Sequence, residues 1–225
     1  MHPRRAHWIE RLFPVGIVVY ELDDSHPAPP LPAEEAAFVT QAVEKRRAEF
    51  SRGRSCARAA CAAQGVTGET IPVGERRAPI WPASLVGSIT HCRGLVAAAV
   101  GDRTQFRGVG LDAEPFETLS PELTARVASI AEREAAEDSV PVPSGVRGRL
   151  IFSAKEVVYK CVYPLTGADL DFEDVVIRFE GGQSSFRVEA VTALAQGIPE
   201  IAAIEGRYAI TPDHLVVTGV LPVPS

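Results

Sequence analysis

In the stretch GVGLDAE, Gly108 to Glu114, the apolar Val109 and Leu111 alternate with Gly110, Asp112 and Glu114. An extended backbone would therefore send both carboxylates to one side. Hard oxygen donors of this kind suit Mg2+, which keeps several waters and usually completes its shell with substrate phosphate. The same pair is also what a solvated strand end presents. A second stretch, FSAKEVVYK from Phe152 to Lys160, carries Ile151, Val158, Tyr159 and Val162 at helical steps, and no Gly or Pro interrupts it before Pro164, where the pattern predicts a stop. On that helix Glu156 and Lys160 lie one turn apart on one face, with Lys155 beside them around the circumference. They read either as a surface ion pair or, given the aromatic Phe152, Tyr159 and Tyr163, as charges on a largely buried helix that need a partner or a ligand.

Two further groups could meet phosphate. Leu85, Val86 and Ile89, then GLVAAAV from Gly94 to Val100, read as paired buried strands joined at His91, Cys92, Arg93 and Gly94. A histidine at that tip, near Ser88 and Thr90, can donate to a phosphate oxygen; it can equally be structural. The segment KRRAEFSRGRSCAR, Lys45 to Arg58, places Arg47, Arg54 and Arg58 in one helical stripe with Arg46 at its border. Such stripes are either solvated or used to grip terminal phosphates.

The elements that must position these groups fall into two α+β halves. Strand-like VGIVVYEL leads into a helix from about Ala33 to Gln64, a Pro/Gly-rich loop from Val66 to Pro82, and the paired strands. The second half runs from VGLDAE through a helix from about Pro121 to Glu137, a Pro-rich break at Val140 to Ser144, and the FSAKE helix. Strands then follow near Phe172 to Glu180, Ser185 to Ala190 and Leu215 to Val220. The boundary is expected between Asp102 and Gly108, dividing the chain into residues 1–106 and 107–225.

In order along the chain, RRAEFSRGRSCAR, GERRAPIWP, VGSITHC, VGLDAEP and FSAKEVVYK span Arg46 to Lys160. In these the sequence resembles the 4'-phosphopantetheinyl transferases, specifically the larger monomeric type that activates nonribosomal peptide and polyketide synthases, in its actinobacterial and enterobactin-associated branch. The resemblance implies an α+β fold of two similar α/β halves in a pseudo-two-fold arrangement, with the active site in the cleft between them. It matches Asp112 and Glu114 to metal-binding acids and Glu156 to a third acid, metal ligand or base. It matches Lys155 to a lysine on the coenzyme A pyrophosphate, Lys160 to the second basic residue of that helix, and His91, with Thr90 beside it, to a phosphate contact. Arg46 and Arg54 match arginines on the 3'-phosphate, and Gly74, Glu75 and Arg76 match the loop around the adenine. Val73 stands where some relatives carry a lysine, a loss that Arg76 or Arg77 would have to offset.

The implied reaction is Mg2+-dependent, with Mn2+ as an alternative ion. A serine of an apo peptidyl or acyl carrier protein attacks coenzyme A and takes the 4'-phosphopantetheine arm, and 3',5'-ADP leaves. Lys155 and His91 would offset charge on the diphosphate and Glu156, directly or through a metal-bound water, would take the serine proton. The nucleophile belongs to the carrier, so Ser88 and Ser153 are read as structural or phosphate-facing. The competing reading is a catalytically inactive module that binds coenzyme A or a carrier protein.

Composition adds limits. At 225 residues, 46% hydrophobic and 23% charged, the chain is an ordinary globular sequence, and its net charge of −6 argues against nonspecific nucleic-acid binding. Cys56, Cys61, Cys92 and Cys161 show no CxxC spacing and read as reduced thiols of a cytoplasmic protein. The apolar run Val15 to Tyr20 contains Gly16, follows Pro14 and ends in acids, so it reads as a strand and not a signal peptide, and no stretch is long enough for a membrane span. A monomer without membrane partners is expected.

Overall fold

The computed structural model describes residues 2–224 except 24 and 26. The first half holds β1 (Arg4–Arg5), α1 (His7–Glu10), β2 (Val18–Leu22), α2 (Ala33–Ala36), α3 (Glu44–Ala63), β3 (Leu85–Cys92) and β4 (Leu95–Asp102). The second holds β5 (Phe106–Pro115), α4 (Pro121–Val127), α5 (Ile130–Ser139), α6 (Ser144–Thr166), β6 (Val175–Glu180), β7 (Ser185–Ala190), α7 (Ala193–Gln196), β8 (Glu205–Ile210) and β9 (His214–Pro222). Strands β1 to β4 form one antiparallel sheet in the order β1-β2-β4-β3, and β5 to β9 a second in the order β5-β9-β8-β7-β6. Each sheet carries one long helix, α3 against β2, β3 and β4, and α6 against β5 and β9.

Strand β5 is buried on both faces, and its two residue sets have different tasks. Val109, Leu111 and Ala113 join Val86, Ala97, Ala99, Val216 and Val220 in a core between the two sheets. Gly108, Gly110, Asp112 and Glu114 face α6. The glycines let the helix come close: a β-carbon on Gly110 would sit 2.5 Å from the carbonyl oxygen of Val157, and one on Gly108 2.6 Å from that of Cys161. Two positions without side chains thus seat the helix, and the next two on that face are acids.

Several element boundaries differ from the sequence reading, each for a local reason. The helix expected from Ala33 to Gln64 is interrupted: α2 passes into a 3₁₀ turn at Ala37–Val39, and α3 starts afresh after Val43 in extended conformation. The helix expected over Pro121 to Glu137 is two helices, because Ser129 leaves helical geometry and its hydroxyl accepts the Glu132 amide, capping α5. Helix α6 begins earlier than expected and runs past Pro164, whose ring in the last turn removes only its own amide; Gly167, at φ 66°, ends it. The first apolar strand is shifted to Val18–Leu22, and Phe172–Asp174 is a 3₁₀ turn before β6. His91 and Cys92 belong to β3, paired with Val96 and Leu95, so the hairpin turn is Arg93–Gly94. Strands β1 and β8 and helices α1 and α7 escaped the sequence reading.

Candidate active site

Arg149, Ser153, Glu156 and Lys160 follow one another on α6 at steps of four, three and four, so they form one stripe along the helix. That stripe lies over the acidic end of β5. Lys160 Nζ meets Asp112 Oδ1 at 2.7 Å and the Leu111 carbonyl at 3.0 Å. Ser153 Oγ donates to Asp112 Oδ2 at 2.7 Å. Arg149 Nη1 meets Glu114 Oε2 at 2.6 Å. From the first sheet, Thr90 Oγ1 accepts the Ala113 amide at 2.9 Å and donates to Asp112 Oδ1 at 3.3 Å. Asp112 is therefore buried and held by side chains of two other elements, β3 and α6.

Glu156 completes the acidic set. Among the described residues it takes no hydrogen bond or ion pair, which leaves its carboxylate available. Burial pushes its pKa above the ordinary carboxylate range; Lys160 opposes the shift, and Asp112 and Glu114 add to it. Glu114 is raised likewise, by burial and by Asp112, against the pull of Arg149 and Lys160. The carboxylates of 112, 114 and 156 thus share one field and repel one another, which is a cost that a cation among them removes. No three His, Cys, Asp or Glu side chains among the described residues stand ready as a metal cage. The donor chemistry nonetheless fits a hard divalent ion, because all three groups are carboxylates and their mutual repulsion is only partly offset by Lys160 and Arg149.

A cavity of about 310 Å3 opens beside this ledge, walled by Arg46, Glu49, Arg54, Val73, Arg77 and His91 among others. His91 Nε2 lies 3.4 Å from Arg46 Nη1 and 3.3 Å from Glu49 Oε2. Arg54 is buried with its guanidinium 4.6 Å above the Phe50 ring, and burial lowers its pKa to about 10. Its Nε–H is buried without an acceptor. A buried guanidinium with an unmet donor, beside a cavity with two more arginines, a histidine and the acid Glu49, has the chemistry to take an anion.

The arginine stripe inferred from spacing divides in the structure. Arg46 and Arg54 share the cavity, whereas Arg47 turns outward to the Ala42 carbonyl and Arg58 pairs with the fully buried Glu35. In the loop, Val73 bridges Pro79, and Arg76 and Arg77 both hold positive φ, 48° and 65°. Arg77, with Val73, reaches the Arg54 cavity; Gly74 and Glu75 are not among its walls. Arg76 crosses instead to Asp169 of the second half at 2.7 Å. There it borders a cavity of about 190 Å3 with Trp81, Tyr159, Glu156 and Lys160. Tyr159 and Tyr163, expected in the interior, are half-buried and stack at 5.2 Å on the wall of that second cavity.

Lys155 requires a correction. Its side chain is turned away from the acids and buried, and its ammonium is used three times over, by Glu132 Oε2 at 2.9 Å, the Val127 carbonyl at 2.8 Å and the Phe172 carbonyl at 2.7 Å. Glu132 in turn accepts the Ile177 amide at 2.7 Å. Lys155 and Glu156, about 100° apart around the helix, both border a further cavity of about 160 Å3, but the Lys155 ammonium is taken up by the three partners above. Lys160 is the α6 lysine beside the acids. Arg149 was missed altogether, and Ser153 was read only as structural or phosphate-facing; the four-three-four spacing ahead of Lys160 was the signal that would have found both.

Comparison with known proteins bears on both halves. A model of the 4'-phosphopantetheinyl transferase N-terminal domain matches residues 34–101, and a model of the 4'-phosphopantetheinyl transferase superfamily matches residues 108–211. The chain is similar to 4'-phosphopantetheinyl transferase Npt of Nocardia iowensis, 37% identical over 94% of this chain and 98% of that protein. It is 40% identical to 4'-phosphopantetheinyl transferase Svp of Streptomyces mobaraensis over 83% of this chain and 76% of that one. Against 4'-phosphopantetheinyl transferase PptT of Mycobacterium tuberculosis the figures are 38%, 80% and 81%.

Proposed function

This chain belongs to the 4'-phosphopantetheinyl transferase superfamily, and from that premise we propose that Asp112, Glu114, Glu156, Lys160, His91, Arg46 and Arg54 carry its reaction. The enzyme transfers the 4'-phosphopantetheine arm of coenzyme A to a serine of an apo carrier protein. Coenzyme A is its substrate, and the reaction needs a divalent metal.

We assign that metal as Mg2+, held by carboxylate oxygens of Asp112, Glu114 and Glu156. Bound there, it would neutralise the diphosphate of coenzyme A and the charge that builds as the anhydride breaks. The protein's own groups do the rest. Arg54 and Arg46 receive the 3'-phosphate, with Arg54 Nε supplying the unmet donor and Arg77 standing in for the lysine that Val73 replaces. His91 and Lys160 offset charge on the diphosphate from opposite sides of the cleft. Thr90 and Ser153 hold Asp112 in orientation. The serine oxygen attacks the β-phosphorus in line, the bond from that phosphorus to the bridging oxygen breaks, and 3',5'-ADP departs with the bond electrons. Glu156 takes the serine proton, a role supported by its lack of a fixed partner among the described residues.

Residues 1–106 then form the adenosine and 3'-phosphate side, and 107–225 the metal and catalytic side. No helix of the described residues is long and apolar enough to cross a membrane, and Cys56, Cys61 and Cys161 are buried free thiols. The buried thiols support our placing it in the cytoplasm, and we propose that it acts as a monomer. Transferase relatives 37–40% identical over most of this chain support catalysis over a binding module without it.

The placement of the α6 stripe that carries Glu156 over the acidic end of β5 is what supports the assignment. It is tested by Mn2+ and coenzyme A diffused into crystals: an anomalous peak among residues 112, 114 and 156 is expected, and one elsewhere in the cleft refutes the ligand set.

A further inference from the structure

Arg149 lies on α6 seven residues before Glu156 and on the same face, yet no role in the reaction described above falls to it. Its guanidinium makes contacts in three directions. Nε donates to the Glu117 carbonyl at 2.8 Å, Nη2 to the Thr118 carbonyl at 3.2 Å, and Nη1 to Glu114 Oε2 at 2.6 Å. The two carbonyls belong to the chain leaving β5, and the same segment is tied to the first turn of α6 by the Leu119 amide on the Gly145 carbonyl, 3.0 Å. The guanidinium plane is therefore fixed by backbone through Nε and Nη2 and presents Nη1 to a single carboxylate oxygen. Among the described residues Glu114 Oε1 accepts no hydrogen bond.

We propose that Arg149 is a positioning residue that locks Glu114 by Oε2 and so presents Oε1 to the acid cluster as its one available oxygen. The inference rests on the assignment of Glu114 as a metal ligand and extends it to the group behind the ligand. Outer partners of this kind fix a ligating carboxylate and typically carry a factor of about 10–100 in metal affinity. Charge alone predicts the opposite sign, because a guanidinium near a divalent ion repels it and its removal would tighten binding. Geometry also specifies arginine: a lysine ammonium is a point charge that lacks the planar fork needed to meet two carbonyls and a carboxylate together.

The test is Mn2+ titration followed by electron paramagnetic resonance, on the full chain free of coenzyme A and carrier. Arg149→Met is expected to weaken Mn2+ binding about 10–100-fold, and Arg149→Lys to fail to restore it. In a Glu114→Gln background Arg149→Met should cost no further affinity, since the arginine acts through that side chain. If Arg149→Met does not fold, the lysine variant decides alone, weakened binding supporting the positioning role. Wild-type or tighter Mn2+ binding in either folded variant overturns it, as does an undiminished loss in the Glu114→Gln background. A wild-type protein that binds no Mn2+ overturns the metal assignment itself, and this inference with it.

Discussion

Lys155 and Lys160, both on α6, send their ammonium groups to opposite sides of the helix: Lys155 to the buried Glu132, and Lys160 to Asp112. The first is a strut between α4, α5 and the turn before β6, and the second lies beside the acids. Lys155→Met leaves Glu132 buried without its counter-ion and should cost about 3–5 kcal/mol in urea denaturation. Adding Glu132→Gln should return part of that loss. Lys160→Met, at a partly exposed position, should keep the fold and lose at least about tenfold in coenzyme A affinity by calorimetry, as expected for removal of a charged contact.

Gly110 sets the distance between the helix and the acids. Gly110→Ala forces a methyl group against the Val157 carbonyl and the Cys161 sulfur, so α6 must shift away from β5. We expect a loss of about 1–3 kcal/mol in denaturant unfolding, the usual result of overpacking. Transfer rate should fall further than stability, because the same shift moves Glu156 and Lys160 relative to Asp112.

His91 should make coenzyme A binding pH-dependent. Burial lowers its pKa below the ordinary 6.5, assisted by Arg46 and Lys160 and opposed by Glu49 and Asp112. The neutral ring is thus favoured in the folded protein. Its contribution to stability is present above 6.5 and is lost as pH falls through the lowered value. A phosphate against the ring reverses the shift, so binding takes up a proton. Calorimetry at pH 6.5–7 in buffers of different ionisation heat should detect that uptake in the wild type and lose it in His91→Gln.

The Asp112 clamp makes a separate prediction. Ser153→Ala removes a buried hydrogen bond to a carboxylate, worth about 1.5–3 kcal/mol when charged. Its effect should appear as weaker metal binding and lower kcat, with KM for coenzyme A nearly unchanged. A change confined to KM would remove Ser153 from the metal side of the site.

The sequence revealed the parts of the site that have strong local periodicity. Alternation through Val109, Leu111 and Ala113 is enough to fix the face on which Asp112 and Glu114 lie, and the apolar spacing of α6 marks Glu156 and Lys160 as neighbours. What it could not reveal depends on contacts distant in the chain. Lys155 and Lys160 are equally basic in a linear motif, and only the placement of Glu132, 23 residues earlier, separates strut from site. Gly110 looks like strand punctuation until α6 is laid on it. Strand β8 carries exposed Glu205 and Arg207 around Gly206 and Tyr208, too little apolar character to register as a strand. The α2–α3 break was hidden because an extended residue such as Val43 carries no Gly or Pro signal.

In the proposed reaction the carboxylates of Asp112, Glu114 and Glu156 drive transfer together. Its most direct measurement is the intact mass of an apo carrier protein incubated with coenzyme A, Mg2+ and either the wild type or the Asp112→Asn and Glu156→Gln variants. The wild type should add one phosphopantetheinyl group per carrier, and each folded variant should slow that gain by at least about 100-fold, the scale of a lost general base. Variants that modify the carrier at the wild-type rate would remove these carboxylates from the reaction.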